Sequence, residues 1–77
     1  MVNGQQVRTA RAWLDMSQLE LAARSGVARD TIARFEKGRS MPQPRTIRDL
    51  QQTLEAEGIE FLFEGEEGVG VRKRQHL

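Results

Sequence analysis

Cysteine is absent from this sequence, and histidine occurs once, as His76 near the C-terminal end. Without thiols there is no disulfide framework and no thiolate zinc site, and one histidine cannot complete a histidine metal site or serve as a base beside a nucleophile. The sequence therefore predicts no metal and no cofactor. His76 is expected to be disordered in the tail, and we assign no role to it.

Long hydrophobic runs are also missing. No stretch approaches the roughly 20 apolar residues of a membrane-spanning helix, and no apolar run follows a basic start in the manner of a signal peptide. We therefore expect a cytoplasmic protein with no membrane contact. A chain of 77 residues has one small core, which can rarely spare the roughly 300–1,000 Å³ of a substrate pocket, so we do not expect an enzyme.

The net charge of +1 hides an uneven distribution of charged residues. Residues 1–54 carry nine basic and five acidic side chains, whereas residues 55–68 carry six glutamates and no base. Three more basic residues occupy positions 72–74. This division is typical of a basic body that faces an anionic polymer, with an acidic segment turned away from it. Charge alone does not exclude an ordinary solvated surface.

Helix-start and helix-stop signals divide the first 58 residues into four helical segments. Asn3 and Ser17 are good N-caps, and Gln6 or Glu20 follows each of them at the spacing of a capping box. Gly26 supplies the left-handed conformation with which helices often end. The predicted helices run over residues 4–14, from Gln18 to near Ser25, from Arg29 to Lys37, and from Pro44 to before Gly58.

After these helices the hydrophobic period changes from 3.6 to 2, which is typical of β-strands with one buried face. The alternating apolar residues are Ile59, Phe61 and Phe63 in a first strand, and Val69 and Val71 in a second. The glycine-rich stretch from Glu64 to Gly70 is predicted to be the loop of a β-hairpin.

A tight turn joins the second and third predicted helices, which is the geometry of a DNA-binding helix-turn-helix. At about 100° per residue, one arc of roughly 140° on the third helix combines basic residues with small or hydrogen-bonding ones, and the opposite arc, with Thr31, Ile32 and Phe35, is the core side. The outer arc comprises Arg29, Asp30, Ala33, Arg34 and Lys37. Arginine matches the O6 and N7 acceptors of guanine, so this face suits the major groove. An ordinary amphipathic surface helix would also be polar outside.

The residues around this turn carry a family resemblance. They are Met16-Ser17-Gln18, Leu21-Ala22, Gly26-Val27, Thr31-Ile32, Phe35-Glu36-Lys37-Gly38 and Pro42. Over about residues 5–57 the sequence resembles the phage-repressor-like, Xre/Cro-type helix-turn-helix family. The resemblance implies a mainly α bundle of four or five helices that binds a two-fold operator as a dimer, usually as a repressor. We expect a helix-turn-helix domain over residues 1–58 and a C-terminal β-hairpin extension with a basic tail over residues 59–77.

The resemblance also implies roles for individual residues. Candidate contacts to base edges or to the groove are Arg29, Asp30, Thr31, Ala33 and Arg34. Candidate phosphate contacts are Ser17 and Gln18 at the start of the second helix, and Lys37, Arg39 and Arg45 beside the groove. Arg11 and Glu36 match positions that form a buried ion pair in the family, and we expect them to be structural.

Several residues near the motif have simpler interpretations. Asp15 replaces the family's usual glycine at a helix end, which is tolerable because aspartate adopts the left-handed conformation more readily than most residues. Ala28 replaces a capping serine or threonine. Asp30 can pair with Arg34 at i+4 instead of reading a base. Trp13 is expected in the core or in a dimer interface, since a single tryptophan in a small domain is usually packed.

The apolar strand residues predict contact between two chains. An isolated two-stranded hairpin is marginally stable in water, and pairing its edges across a two-fold axis would satisfy its backbone hydrogen bonds. The predicted dimer interface comprises Ile59, Phe61, Phe63, Val69 and Val71. Part of this face can instead cover helices of its own chain, and dimerisation through the last helix is the competing interpretation.

These features together predict a DNA-binding transcriptional regulator, and most simply a repressor. It would bind double-stranded DNA as a homodimer, with helix 29–37 in the major groove. The alternative is a protein-interaction module, such as an antitoxin or an antiactivator, that uses the same scaffold to bind a protein partner.

Overall fold

The computed structural model describes residues 1–74 as four helices followed by a two-stranded antiparallel sheet. The helices are Gly4–Leu14 (α1), Gln18–Ser25 (α2), Arg29–Glu36 (α3) and Pro44–Ala56 (α4), and the strands are Ile59–Glu64 (β1) and Glu67–Lys73 (β2). This architecture confirms the predicted fold class, a mainly α bundle with a β-hairpin. The expected disorder of His76 falls outside the described residues.

Both predicted capping boxes are formed. The Oδ1 atom of Asn3 accepts a hydrogen bond from the backbone N–H of Gln6 at 2.9 Å, and the Gln6 side chain accepts one from the Asn3 backbone at 3.0 Å. Ser17 and Glu20 repeat this exchange at the start of α2, at 3.0 and 3.5 Å. Ala28 forms no side-chain cap. Each box pairs backbone N–H groups that the start of a helix leaves without partners. The capping residues therefore determine where α1 and α2 begin.

The ends of α1 and α2 turn through left-handed residues. Asp15 has a φ angle of 53° and Gly26 one of 76°, so both helices stop where the sequence predicts. Glycine adopts this conformation without steric penalty, and aspartate tolerates it. α3 ends at Glu36, one residue earlier than predicted, with Lys37 as its C-cap. The two left-handed residues set the directions in which α2 and α3 leave the preceding helix.

Residues from all four described helices and from β1 form one hydrophobic core. Its largest fully buried side chains are Leu21, Ile32, Ile47, Leu50, Leu54, Ile59, Val2 and Val7. Burying one such side chain contributes roughly 1.5–3 kcal/mol. Met16, which precedes the α2 cap, is buried in the same core as Leu21 of α2, the arrangement of a hydrophobic staple. Packing between elements therefore stabilises these short helices, which would be marginal in isolation.

The β-hairpin turns more tightly than the sequence predicts. Glu64 pairs with Glu67, so only Gly65 and Glu66 form the turn. Gly65 has a φ angle of 61°, the left-handed conformation that two-residue hairpin turns favour. The predicted loop from Glu64 to Gly70 is therefore wrong, because β2 already begins inside it.

A β-bulge and a buried glutamine account for the glycines within β2. The register shifts between Leu62, which pairs with Gly70, and Phe63, which pairs with Gly68. The Gln6 side chain lies at this shift, and its Nε2 atom donates to the carbonyls of Leu62 and Gly70 at 2.9 and 3.0 Å. A Cβ atom at Gly68 would collide with the Gln6 side chain. Glycine is therefore required where α1 approaches the strand, and Gln6 ties the hairpin to α1.

The hairpin packs on the helices of its own chain. Ile59 and Phe61 are buried in the core, and Val71 packs against it. The helices of the same chain therefore cover Ile59 and Phe61, the alternative that the sequence left open, and the side chains of these two residues offer little surface to a partner. Phe63 and Val69 remain 39% and 50% exposed. Only these two of the predicted interface residues keep a large free apolar surface.

Trp13 is not a core residue. Its side chain is 59% exposed near the end of α1, so the core part of its prediction is wrong. The buried side of α1 consists of Gly4, Gln6, Val7 and Ala10, and Trp13 lies off this side of the helix. The tryptophan ring is therefore a surface feature of the described chain.

The start of α1 packs directly on the end of α3. Gly4 is buried, and a Cβ atom at this position would lie 2.6 Å from the carbonyl carbon of Phe35 and 2.9 Å from the Cα atom of Glu36. Both are backbone atoms, so no rotamer change can move them away. Glycine at position 4 allows the two helices to approach this closely.

Gly4→Ala is expected to lower the free energy of unfolding by about 1–3 kcal/mol, because overpacking of a tight contact costs that much. The sign of this change is informative, because alanine is intrinsically a better helix former than glycine and would otherwise be expected to stabilise α1. Gly70→Ala is the matched control, because a Cβ atom there meets nothing within 4 Å. Urea titrations followed by circular dichroism compare the variants. Equal midpoints for both would contradict the close approach of α1 and α3.

Candidate nucleic-acid interface

α2, a short turn and α3 form the helix-turn-helix. Residues Gly26–Ala28 join the two helices, and Val27 in the turn is buried. Leu21 of α2 and Ile32 and Phe35 of α3 are buried as well. The facing sides of the two helices are thus occupied by core packing, and the opposite side of α3 is left to solvent. A second helix presented in this way can enter a major groove.

The solvent side of α3 carries the residues predicted to contact bases. Arg29, Asp30 and Arg34 are exposed, and Thr31 and Ala33 are half-buried. Long polar side chains therefore alternate with small ones on this part of the helix. Arginine can reach the acceptors of guanine in the groove, and small residues permit close approach of the helix.

Asp30 pairs with Arg29 rather than with Arg34. The carboxylate of Asp30 lies 3.5 Å from the guanidinium of Arg29, so the i+4 pairing suggested by the sequence is wrong. Both side chains of this pair are largely exposed, and such contacts contribute only about 0–1 kcal/mol. Among residues 1–74, Arg34 has no salt-bridge partner. Its guanidinium is therefore available to an external acceptor.

Glu36 joins α3 to both of the preceding helices. Its carboxylate accepts hydrogen bonds from Nε and Nη2 of Arg11, both at 2.7 Å, and from Nε2 of Gln18 at 3.1 Å. The Glu36 side chain is only 4% exposed. Arg11 also donates from Nη1 to the carbonyl of Met16 at 2.9 Å. One buried carboxylate thus connects α1, α2 and α3 through charge-assisted hydrogen bonds.

The surroundings of Arg11 favour its charged form. Hydrogen bonding to Glu36 raises the pKa of Arg11, burial lowers it, and the charge of Glu36 raises it again, so the net shift is upward. A raised pKa stabilises the fold at every pH below the ordinary value for arginine and is lost only above it. Changes of pH in the physiological range therefore leave the guanidinium of this pair charged.

The predicted phosphate contacts fall into two groups. Ser17 and Gln18 lie at the start of α2, where the backbone donors of the helix attract anions. Gln18 uses one N–H for Glu36 and keeps a second. Three further candidates are exposed and have no salt-bridge partner within the described part of the chain: Lys37, Arg39 and Arg45.

One basic residue at this surface was not predicted. Arg8 of α1 is exposed and has no salt-bridge partner in residues 1–74. It lines the groove between α1, α2 and α3 together with Gln18, Ala33 and Lys37. The signal was present in the sequence, because Arg8 precedes Arg11 by three residues and so lies on the same side of the helix.

Other kinds of site find no support in the described chain. Within residues 1–74, no group of three or more histidine, cysteine, aspartate or glutamate side chains could hold a metal ion. No helix of this part is both long and apolar enough to cross a membrane.

Comparison with known proteins identifies the family. A family model described as Helix-turn-helix matches residues 7–61. An uncharacterized HTH-type transcriptional regulator of Methanothermobacter thermautotrophicus is 40% identical over 57 residues, which cover 74% of this chain and 83% of that protein. The chain belongs to the Xre/Cro-type helix-turn-helix family, which confirms the resemblance carried by the motif. The matched region extends from α1 into β1.

Glu36→Ala is expected to lower the free energy of unfolding by about 3–5 kcal/mol, because it leaves the largely buried Arg11 without its partner. Glu20→Ala is the control, since it removes a half-exposed glutamate of α2 whose contacts are weak: the long bond of a capping box at 3.5 Å and a surface ion pair with Arg24 at 3.7 Å. Thermal melts followed by circular dichroism compare the two variants with the parent protein. Equal melting temperatures would show that the Glu36 carboxylate does not hold the helices together.

Proposed function

We propose that this chain is a sequence-specific transcriptional repressor that binds a two-fold operator as a homodimer, with α3 in the major groove. It would act in the cytoplasm and have no catalytic activity. The observation that carries the proposal is the solvent side of α3: it presents basic and small residues, and the cations beside it have no salt-bridge partner among the described residues. The name of the relative from Methanothermobacter thermautotrophicus, a transcriptional regulator, supports the regulatory part of this proposal.

Two arginines are proposed to read bases. Within residues 1–74 Arg34 has no salt-bridge partner, and Arg29 has a weak surface contact with Asp30, which an acceptor on DNA can replace. Each can form two hydrogen bonds with guanine. Asp30 would accept a hydrogen bond from N4 of cytosine, and Thr31 and Ala33 would contact the groove or the backbone beside it.

Cations on two helices and in one loop are proposed to hold the phosphates. Lys37 and Arg39 follow α3 directly, Arg45 lies at the start of α4, and Arg8 lies on α1. Ser17 and Gln18 would add neutral donors at the start of α2. Such contacts fix the register of a protein on DNA without reading sequence. Occupation of a promoter by two copies would then block transcription from it.

A protein-interaction module remains the second candidate function. The exposed Trp13 favours it, because a large aromatic side chain at the surface is common in protein interfaces. A footprint on the DNA upstream of the coding sequence separates the two functions. Protection of a two-fold site at moderate salt supports the regulator, and uniform absence of protection supports the module.

Arg34→Ala is expected to weaken operator binding by about 1–3 kcal/mol and to relax the preference at one base pair of each half-site. The reason is the loss of two hydrogen bonds to a guanine. Arg24→Ala is the matched control, because Arg24 is an exposed arginine whose charge is held by Glu57 at 2.9 Å. Binding to a set of operators with single substitutions gives the measurement. Unchanged preference in Arg34→Ala would remove Arg34 from base recognition.

Lys37→Ala is expected to weaken specific and non-specific DNA binding alike and to lower the slope of log K against log salt by roughly 1. The physical cause is the release of one fewer counterion from the DNA. The slope is obtained from fluorescence anisotropy titrations at several salt concentrations. An unaltered slope in Lys37→Ala, matching that of Arg24→Ala, would refute the phosphate contact.

A further inference from the structure

Met41 is the most exposed large hydrophobic side chain that the structure describes, at 74%. It lies in the loop of residues 37–43, between the end of α3 and the start of α4. Single exposed apolar residues are common on protein surfaces, so exposure alone assigns no role to Met41. Its place in the chain is more informative, because it lies between two of the cations proposed to contact phosphates.

The segment from Lys37 to Arg48 carries charge of one sign. It contains four basic residues and no acidic one. All four are exposed, and within residues 1–74 none has a salt-bridge partner: Lys37, Arg39, Arg45 and Arg48. Arg48 is not among the contacts predicted from the sequence, and it follows Arg45 by three residues, which places both on the same side of α4. The basic surface of α3 therefore continues through the loop to the first turns of α4, where it attracts a polyanion.

The loop is anchored at both ends, so the exposure of Met41 is built into the fold. Arg39 donates its backbone N–H to a carbonyl of α3 at 2.9 Å, and the carbonyl of Gln43 accepts two N–H groups of α4 at 2.9 and 3.2 Å. Pro42 and Pro44 fix their own φ angles and restrict the residue before each of them to extended conformations. Met41 is one of these restricted residues. Its backbone therefore has little freedom to turn the side chain back onto the core.

We infer that this loop crosses the minor groove beside each half-site and inserts Met41 into it, which makes Met41 a specificity-determining residue outside α3. The inference rests on the proposed function, because it requires α3 to lie in the adjacent major groove. Other DNA-binding proteins insert apolar side chains, methionine among them, into the minor groove.

The order of residues along the loop fits this path. The N-terminal residues of a recognition helix read bases, so the C-terminal end of α3 leads to the phosphates that border the major groove, where Lys37 and Arg39 are proposed to bind. The minor groove lies on the other side of that row of phosphates. Met41 follows Arg39 by two residues, which span at most ~7 Å, and the groove is about 6 Å wide. Arg45 and Arg48 then reach the phosphates of its far wall.

The chemistry of the minor groove suits an uncharged side chain at this point. Its walls are the C–H groups of deoxyribose, and the thioether of methionine is apolar, polarizable and flexible enough to fill an irregular gap between them. Its floor differs between base pairs, since G·C adds the N2 amino group of guanine and A·T has only acceptors. Methionine offers no strong acceptor to that amino group, which also occupies the space that the side chain needs. Met41 therefore selects A·T over G·C where the loop crosses the groove.

A lysine substitution tests whether Met41 lies against the DNA. Met41→Lys is expected to steepen the slope of log K against log salt by roughly 1, because a lysine between two phosphate contacts meets a phosphate. Val69→Lys is the matched control, since it adds the same charge at another exposed apolar position, on the hairpin. Fluorescence anisotropy titrations on operator DNA give both slopes. An unaltered slope in Met41→Lys, or an equal change in Val69→Lys, would overturn the inference.

An inosine substitution in the DNA tests which groove Met41 enters. Inosine lacks the N2 amino group of guanine but keeps O6 and N7, so replacing G·C by inosine·C changes the minor groove and leaves the major-groove acceptors in place. In an operator with G·C pairs flanking the half-sites, one such replacement is expected to strengthen binding of the parent protein by roughly five- to tenfold, the lower part of the range for one base pair in a specific site. Met41→Ala is expected not to respond. A parent protein indifferent to inosine at every flanking position, or an equal response in Met41→Ala, is the result that overturns the inference.

The same titrations separate a failure of this inference from a failure of the proposed function. A parent protein that binds no DNA would refute the proposed function, and the inference with it. A parent protein whose base preference depends on Arg34, with Met41 variants that respond to salt and to inosine as the parent does, would refute the inference alone.

Discussion

The buried carboxylate of Glu36 determines where α3 lies, and the candidate DNA-binding surface depends on that position. The apolar contacts of Ile32 and Phe35 hold α3 on the bundle, but apolar contacts are non-directional and would tolerate some rotation of the helix. Three hydrogen bonds from Arg11 and Gln18 to Glu36 add direction. Because an unpaired carboxylate at this depth would be costly, the three helices must keep the one arrangement that satisfies it.

α1 connects this centre to the hairpin. Near its end, Arg11 binds Glu36, while at its start Gly4 touches the backbone of α3 and Gln6 donates to the carbonyls of both strands. Gln6 is buried, and its side-chain nitrogen and oxygen both have partners. The proposed groove-binding helix and the hairpin are therefore both held against α1.

Local signals predicted the helices well, because caps and left-handed residues act over a few positions: Asn3, Ser17, Asp15 and Gly26 all lie where the pattern puts them. The hairpin was predicted only from the alternation of apolar and polar residues along its two strands. Alternating apolar residues show that one face of a strand is buried, but they do not show whether the same chain or a second chain covers that face. The sequence therefore placed Ile59 in a dimer interface, whereas the helices of its own chain bury it. The register shift within the hairpin likewise involves a long-range contact, that of Gln6 with the carbonyls of Leu62 and Gly70.

The distribution of ion pairs explains how a chain of nearly neutral net charge can present a basic surface. Two glutamates that follow α3 in the sequence neutralise cations away from it: Glu57 pairs with Arg24 and Glu60 with Arg72. In the described part of the chain, the cations proposed to contact phosphates have no such partners. The electrostatic potential at the surface of α3 therefore depends on which basic side chains are paired with carboxylates, and much less on the net charge of the chain. The Arg29–Asp30 contact is the exception, and because both side chains are exposed it can be exchanged for DNA at little cost.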